Sequence, residues 1–277
     1  MPFARNDDYE LFYETAGEPT DRPLLLVSGF GAQAISWQDG FIDGWVERGW
    51  CVITMDNRDV GLSTKTQTAG DATDGAPYSL SDMAADCVAV LDALGFERAH
   101  VLGASMGGMI VQTLSIEHPN RVATMTSVMS STGDPHVGRP AKAALDALLR
   151  PPAEGRDAFI DDYVDGGRVF AGPRFDEAWT RVRAGREYDR CFHPAGQVHQ
   201  MHAITAGGDR TEQLRGVTAP TLVVHGRYDT LIPLDGGEAT AAAVPGARLL
   251  VLDEMGHNIP ISYWPEIYDA VADLARS

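Results

Sequence analysis

Cysteine is scarce in this chain. The three present, Cys51, Cys87 and Cys191, are scattered and odd in number. A disulfide framework is therefore not expected, and a reducing, cytoplasmic setting is. No Cys/His spacing resembles a zinc site, so no metal is expected. There is no run of eighteen apolar residues of the kind that spans a membrane. The opening segment, Met1 to Asp8, lacks the apolar stretch of a secretory signal. Positive charge is also short: 22 Lys and Arg stand against 39 Asp and Glu, for a formal net charge of −17. Nucleic acid and anionic membranes repel such a surface, so neither is an expected partner. Internal repeats and low-complexity tracts are absent.

What is present is a chain of 277 residues with 44% hydrophobic composition, enough for one large domain or a domain carrying an insertion. Leu24–Val27, Cys51–Met55, Ala99–Gly103 and Thr221–His225 are short apolar runs, the mark of strands covered on both faces. Val122–Met129 and Arg248–Leu252 join them, and Tyr9–Tyr13 reads as an edge strand or part of a hairpin. Helical stretches alternate with these runs. Gly40–Gly49 carries Phe41, Ile42, Trp45 and Val46 at helical spacing. Ser79 and Asp82 form a capping box for a helix ended by Gly95. Met106–His118, Gly237–Ala243 and Pro265–Ala275 read as further helices, the last with Pro265 at its first position. Strands alternating with helices predict an α/β fold with a mostly parallel sheet and helices on both faces. Between about Gly133 and Gly208 the rhythm breaks. Ala141–Arg150, Asp157–Val164, Asp176–Arg186 and Ala195–Thr205 read there as short helices, so residues 133–208 form a helical insertion in a core made of 1–132 and 209–277.

Gly103-Ala104-Ser105-Met106-Gly107 reads G-x-S-x-G between a buried strand and a helix, the setting of a serine on a sharp turn. Serine is a weak nucleophile and needs a base, a group to orient that base, and donors for the oxyanion. The N–H of Met106, at the helix start, is one such donor. Ser28-Gly29-Phe30-Gly31 follows an earlier strand and offers a second through Phe30, with Gly31 beside it; the same four residues also read as an ordinary glycine turn. Among eight histidines, His257 follows a strand in a glycine-containing loop and is the candidate base. His225 reads as packed or as a donor behind the site, and His193, His199 and His202 fall in the insertion as pocket candidates. Asp229, just past a strand, is the candidate acid, with Asp253 and Asp134 as rivals. The order Ser105, Asp229, His257 differs from that of chymotrypsin-like and subtilisin-like proteases.

The chain resembles the α/β-hydrolase family over nearly its whole length. The similarity rests on Gly29-Phe30-Gly31, the Asp56–Ser63 loop, the Ser105 turn, His225–Asp229 and Gly256-His257. Ser28-Gly29 stands where the family commonly has His-Gly. Asp56-Asn57-Arg58-Asp59-Val60-Gly61-Leu62-Ser63 resembles the aclacinomycin methylesterase branch, whose members hydrolyse a methyl ester on an anthracycline. The resemblance implies an α/β-hydrolase with a helical cap inserted after the sixth strand. It also implies an esterase acting on a small-molecule ester and water, with no cofactor. Arg58 is expected to pair inside its own loop, with Gly61 turning it. Gly31, Trp37, Phe159, Phe170, Trp179 and His202 are the candidate substrate-binding residues. For the aromatics of the insertion, Phe159, Phe170 and Trp179 included, the plain reading is that most form its own core, with a few facing the cleft. A carbon–carbon bond hydrolase, a lactonase, a hydroxynitrile lyase or a cofactor-free haloperoxidase-like enzyme would use the same three groups. A ligand receptor on the same fold needs no general base, though some keep one, so an intact trio argues against it. Epoxide hydrolases and dehalogenases are disfavoured, because they need Asp where Ser105 stands.

Overall fold

Each apolar run read from the sequence enters one eight-stranded sheet in the computed structural model, which describes residues 2–66 and 77–276. Met1, the first residue of the opening segment, lies outside them, as does part of the 1–132 span. The strands are β1 (Phe3–Asn6), β2 (Tyr9–Ala16), β3 (Arg22–Val27), β4 (Trp50–Met55), β5 (Ala99–Ala104), β6 (Val122–Val128), β7 (Thr221–Gly226) and β8 (Arg248–Leu252). Their order is β1-β2-β4-β3-β5-β6-β7-β8. β1 and β2 form an antiparallel hairpin, β2 runs antiparallel to β4, and every later pairing is parallel. The Tyr9 segment is thus the hairpin form of the two readings given for it.

Successive side chains of a strand point to opposite faces, and β3 shows it. Leu25 and Val27 enter a core with Met83, Cys87 and Leu91 of α2 (Leu80–Leu94) and Ile110 and Leu114 of α3 (Met106–Glu117). Leu24 and Leu26 enter a second core with Phe41 and Trp45 of α1 (Asp39–Val46) and Ile267, Tyr268 and Val271 of α10 (Trp264–Leu274). β4 and β7 are buried along their whole length because both faces are covered. The capping box at Ser79 forms, and Gly95 closes α2 in the left-handed conformation. Pro265 is the second residue of its helix rather than the first, a place in the first turn where its missing N–H costs nothing.

The chain runs from β3 outward to β4 and then returns to the other side of β3 as β5. That reversal is a topological switch point, where the loops after β3 and β5 diverge and leave a crevice at the strands' carboxyl ends. Val27 pairs with Gly103 in register, so the residues that follow each strand are neighbours.

Between β6 and β7 the described residues contain no strand. They form α4 (Lys142–Leu148), α5 (Arg156–Phe170), α6 (Glu177–Arg190), α7 (Pro194–Gly207) and α8 (Thr211–Leu214), with α9 (Leu234–Ala243) following β7. α5 outruns its expected end at Val164 by passing through Gly166-Gly167. Glycine weakens an isolated helix, but here the Phe175 ring lies 2.9 Å from where a Gly167 Cβ would stand, so packing holds the turn. α6 begins where Asp176 caps it, accepting the Trp179 N–H at 2.9 Å, and continues to Arg190. No helix among the described residues is long and apolar enough to cross a membrane.

Candidate active site

Ser105 stands between β5 and α3 with φ 57° and ψ −118°, a backbone conformation that a non-glycine residue rarely adopts. The turn is held from all sides. Ser105 N–H donates to the Val128 carbonyl at 2.9 Å. A Cβ on Gly103 would lie 2.0 Å from the Gly107 carbonyl oxygen, and one on Gly107 would lie 2.1 Å from that of Val27. Only glycine allows β3, β5 and α3 to approach this closely, and the approach lifts Oγ off the end of the sheet.

His257 lies in the loop after β8, with Nε2 2.9 Å from Ser105 Oγ and Nδ1 2.7 Å from Asp229 Oδ2. Asp229, past the end of β7, has a fully buried side chain. Its Oδ1 accepts the N–H groups of Leu231 and Ile232 at 2.9 and 2.8 Å, which leaves Oδ2 for the imidazole. The carboxylate accepts, so Nδ1 carries the proton and Nε2 is left with a lone pair toward the serine hydroxyl. The rivals do not share this place: Asp253 pairs with Arg227 at 2.8 Å, and Asp134 accepts the His136 N–H in its own turn at 2.8 Å. His225 is packed beneath, donating from Nε2 to the Ile232 carbonyl at 2.7 Å. Burial pushes its imidazole below its ordinary value, so it is neutral and leaves the Asp229 charge to His257.

Met106 opens α3, where the first N–H groups have no partner inside the helix. Phe30 and Met106 both border the same cavity as Ser105 and His257, a space of about 910 Å³. Trp37, Phe159, Phe170 and Trp179 also line it. Phe170 does more than line: its carbonyl accepts the His257 N–H at 2.7 Å and its ring meets the imidazole edge-on at 6.0 Å. Gly31 and His202 do not line this cavity. The Gly31 N–H is taken by Gln200 Oε1 at 2.8 Å, so it is unavailable as a donor. His202 follows Met201, which faces the cavity, and one helical step turns it about 100° away.

The Asp56–Ser63 loop joins the sheet to the helices between β6 and β7. Asp56 is fully buried and meets the Arg190 guanidinium of α6, with Nη2 2.8 Å from Oδ2. Asp59, also buried, accepts from His199 Nδ1 of α7 at 2.8 Å. His199 is thus held in this joint rather than in the pocket. Arg58 does not pair inside its loop. It makes a buried two-point contact with Asp86 of α2, at 2.6 and 2.7 Å, under the Tyr9 ring. The fork of a guanidinium suits a carboxylate one layer away better than its own loop, whose Asp56 and Asp59 are already engaged. Gly61, at φ 54°, turns the loop as expected. The missed partner Arg190 left one signal in the sequence: a buried-looking loop with two carboxylates needs donors from elsewhere. Gln200, whose partners are backbone groups, left none.

Residues 22–262 match the family model described as alpha/beta hydrolase fold. The chain is 30% identical to rhodomycin D methylesterase of Streptomyces peucetius, covering 98% of this chain and 97% of that protein. It is 28% identical to rhodomycin D methylesterase of Streptomyces sp. strain C5, covering 98% and 96%. A solved structure described as Est816, an N-acyl homoserine lactone degrading enzyme, superposes with TM-score 0.75 at 26% identity over 99% of both chains.

Proposed function

Because the chain belongs to the α/β-hydrolase fold family, we propose that it is a carboxylic ester hydrolase working through an acyl-enzyme on Ser105. One observation carries the reading: the hydrogen-bonded line Ser105–His257–Asp229 opens into a large cavity with aromatic walls. His257 Nε2 takes the hydroxyl proton as Oγ attacks the ester carbonyl, and Asp229 steadies the imidazolium. The N–H groups of Phe30 and Met106 receive the oxyanion. His257 then protonates the leaving alcohol, and in the second half it activates water, which releases the acid and restores the serine.

Residues 133–208 act as the cap over this site, and Trp37, Phe159, Phe170 and Trp179 bind the acyl part. At about 910 Å³ the cavity is near the upper end of ordinary ligand sites, roughly 300–1,000 Å³. It suits a polycyclic aromatic methyl ester, in keeping with the two methylesterase relatives. The free cysteines support a reducing, cytoplasmic setting. A lactone is an internal ester that the same groups would open, so it belongs in the substrate panel beside methyl esters and p-nitrophenyl acetate and octanoate.

Ser105→Ala tests the reading. Turnover of a p-nitrophenyl ester falls by about 10⁴-fold or more, and labelling by a fluorophosphonate disappears. Full labelling of the variant would remove Ser105 from the mechanism.

A further inference from the structure

Gln200 is fully buried on α7, and both ends of its carboxamide are used on the sheet side of the molecule. Oε1 accepts the Gly31 N–H at 2.8 Å, and Nε2 donates to the Arg58 carbonyl at 2.9 Å. Gly31 belongs to a tight turn in which the Gly29 carbonyl accepts the Ala32 N–H at 3.2 Å. Gly31 has φ 67°, and Phe30 is not left-handed. This is the turn form whose third residue must tolerate positive φ. The other common form differs by inverting the peptide between the second and third residues, here Phe30–Gly31, and glycine accepts both.

Gln200 removes that freedom. An inverted Phe30–Gly31 peptide would present its carbonyl to Oε1, oxygen against oxygen. Turning the carboxamide over to suit it would set Oε1 against the Arg58 carbonyl. The Arg58 carbonyl therefore fixes the carboxamide, and the carboxamide fixes the peptide. On the near side, Asn57 Nδ2 holds the Ser28 carbonyl at 3.0 Å. The Gly29–Phe30 peptide, with the N–H assigned to the oxyanion, lies between these two pins. On α7 itself, the His199–Asp59 contact secures the same turn of helix.

We propose that Gln200 is a positioning residue for acyl transfer. By pinning Gly31 it sets the direction of the Phe30 N–H, so that a helix outside the sheet contributes to rate as well as to selectivity. The proposal rests on the esterase reading and on Phe30 as oxyanion donor.

Two variants test it, with p-nitrophenyl acetate as substrate and a trifluoromethyl ketone as probe of the tetrahedral adduct. In Gln200→Leu, kcat falls about 10- to 100-fold with KM changed less than about threefold, and ketone affinity falls with kcat. In Gln200→Glu, a protonated carboxyl reproduces both hydrogen bonds, whereas a carboxylate would face the Arg58 carbonyl. The ratio of its kcat to that of the parent therefore starts near one in acid and falls as pH rises; this readout stands even if the leucine variant does not fold. A raised KM with unchanged kcat and ketone affinity, or a Gln200→Glu ratio that is flat with pH, would overturn the proposal. A parent without esterase activity, or a Ser105→Ala variant that is labelled as the parent is, would instead bring down the hydrolase reading beneath it.

Discussion

The turn at Ser105 and the outer face of α5 and α6 are held by different forces. At the turn, backbone meets backbone: β3, β5 and α3 approach closer than any Cβ allows at Gly103 and Gly107. On the outer face, arginines meet carboxylates in water, as in Arg156–Asp189, Arg181–Asp161 and Arg168–Asp165, with side chains about half exposed. Between the two lies a buried polar joint, in which Asp56 and Asp59 accept from Arg190 and His199, and the Gly31 N–H donates to Gln200. Close backbone packing specifies geometry and tolerates little change, whereas exposed ion pairs contribute little and are screened by salt. Ser105 sits on the close-packed part, and much of the cavity wall sits on helices whose outward side is held by exposed ion pairs. The cavity wall can therefore change without moving Ser105.

If that contrast is right, the largest effect belongs to a single methyl group at the turn. In Gly107→Ala the added carbon would lie 2.1 Å from the Val27 carbonyl oxygen, which is backbone and cannot swing aside. Expected is a loss of about 4 kcal/mol or more in urea unfolding, or no folded protein, together with loss of esterase activity. A variant with parental stability and turnover would show that the turn is not held as described.

The joint ranks next. Arg190→Leu leaves the Asp56 carboxylate fully buried with only the Ala34 and Leu62 N–H groups as partners. Removing one member of a buried pair strands the other charge, at a cost of about 3 kcal/mol. Urea unfolding should show that loss, and a change below about 0.5 kcal/mol, the size typical of surface substitutions, would move the joint into the same class as the outer face.

These three zones were not equally readable in the sequence. The strands and the Ser79 capping box were legible because their signals are local: apolar runs, a Ser and an Asp three apart, a closing glycine. The trio Ser105, Asp229 and His257 was legible as residues at strand ends, and the structure sets His257 between the other two, 2.9 Å from Ser105 and 2.7 Å from Asp229. The joint was not legible. Arg58 finds Asp86, 28 residues on, and Gln200 finds Gly31 across 169 residues, and such pairings leave no periodic trace. In the outer zone α5 was seen but shortened, because Gly166-Gly167 reads as a break until Phe175 is packed over it. Facing was the hardest to read: Met201 borders the cavity and His202 does not, a difference of one step on α7.

The smallest effect is expected on the outer face, and its smallness is the sharpest part of the comparison. Arg156 makes a two-point contact with Asp189, at 2.7 and 2.9 Å, linking the start of α5 to the end of α6. Its geometry is as good as that of Arg190 with Asp56, and the chemistry is the same guanidinium and carboxylate. Exposure sets them apart: 48% and 56% for Arg156 and Asp189, against 16% and 0% for Arg190 and Asp56. Water solvates both Arg156 and Asp189 once they separate, so neither charge is stranded, and the entropy of two long side chains opposes the contact. Arg156→Ala should therefore leave the melting temperature within measurement error, and molar salt should remove whatever difference remains. A loss comparable to that of Arg190→Leu would mean that the outer face is held as firmly as the joint, and that the cavity wall is not the adjustable part of the molecule.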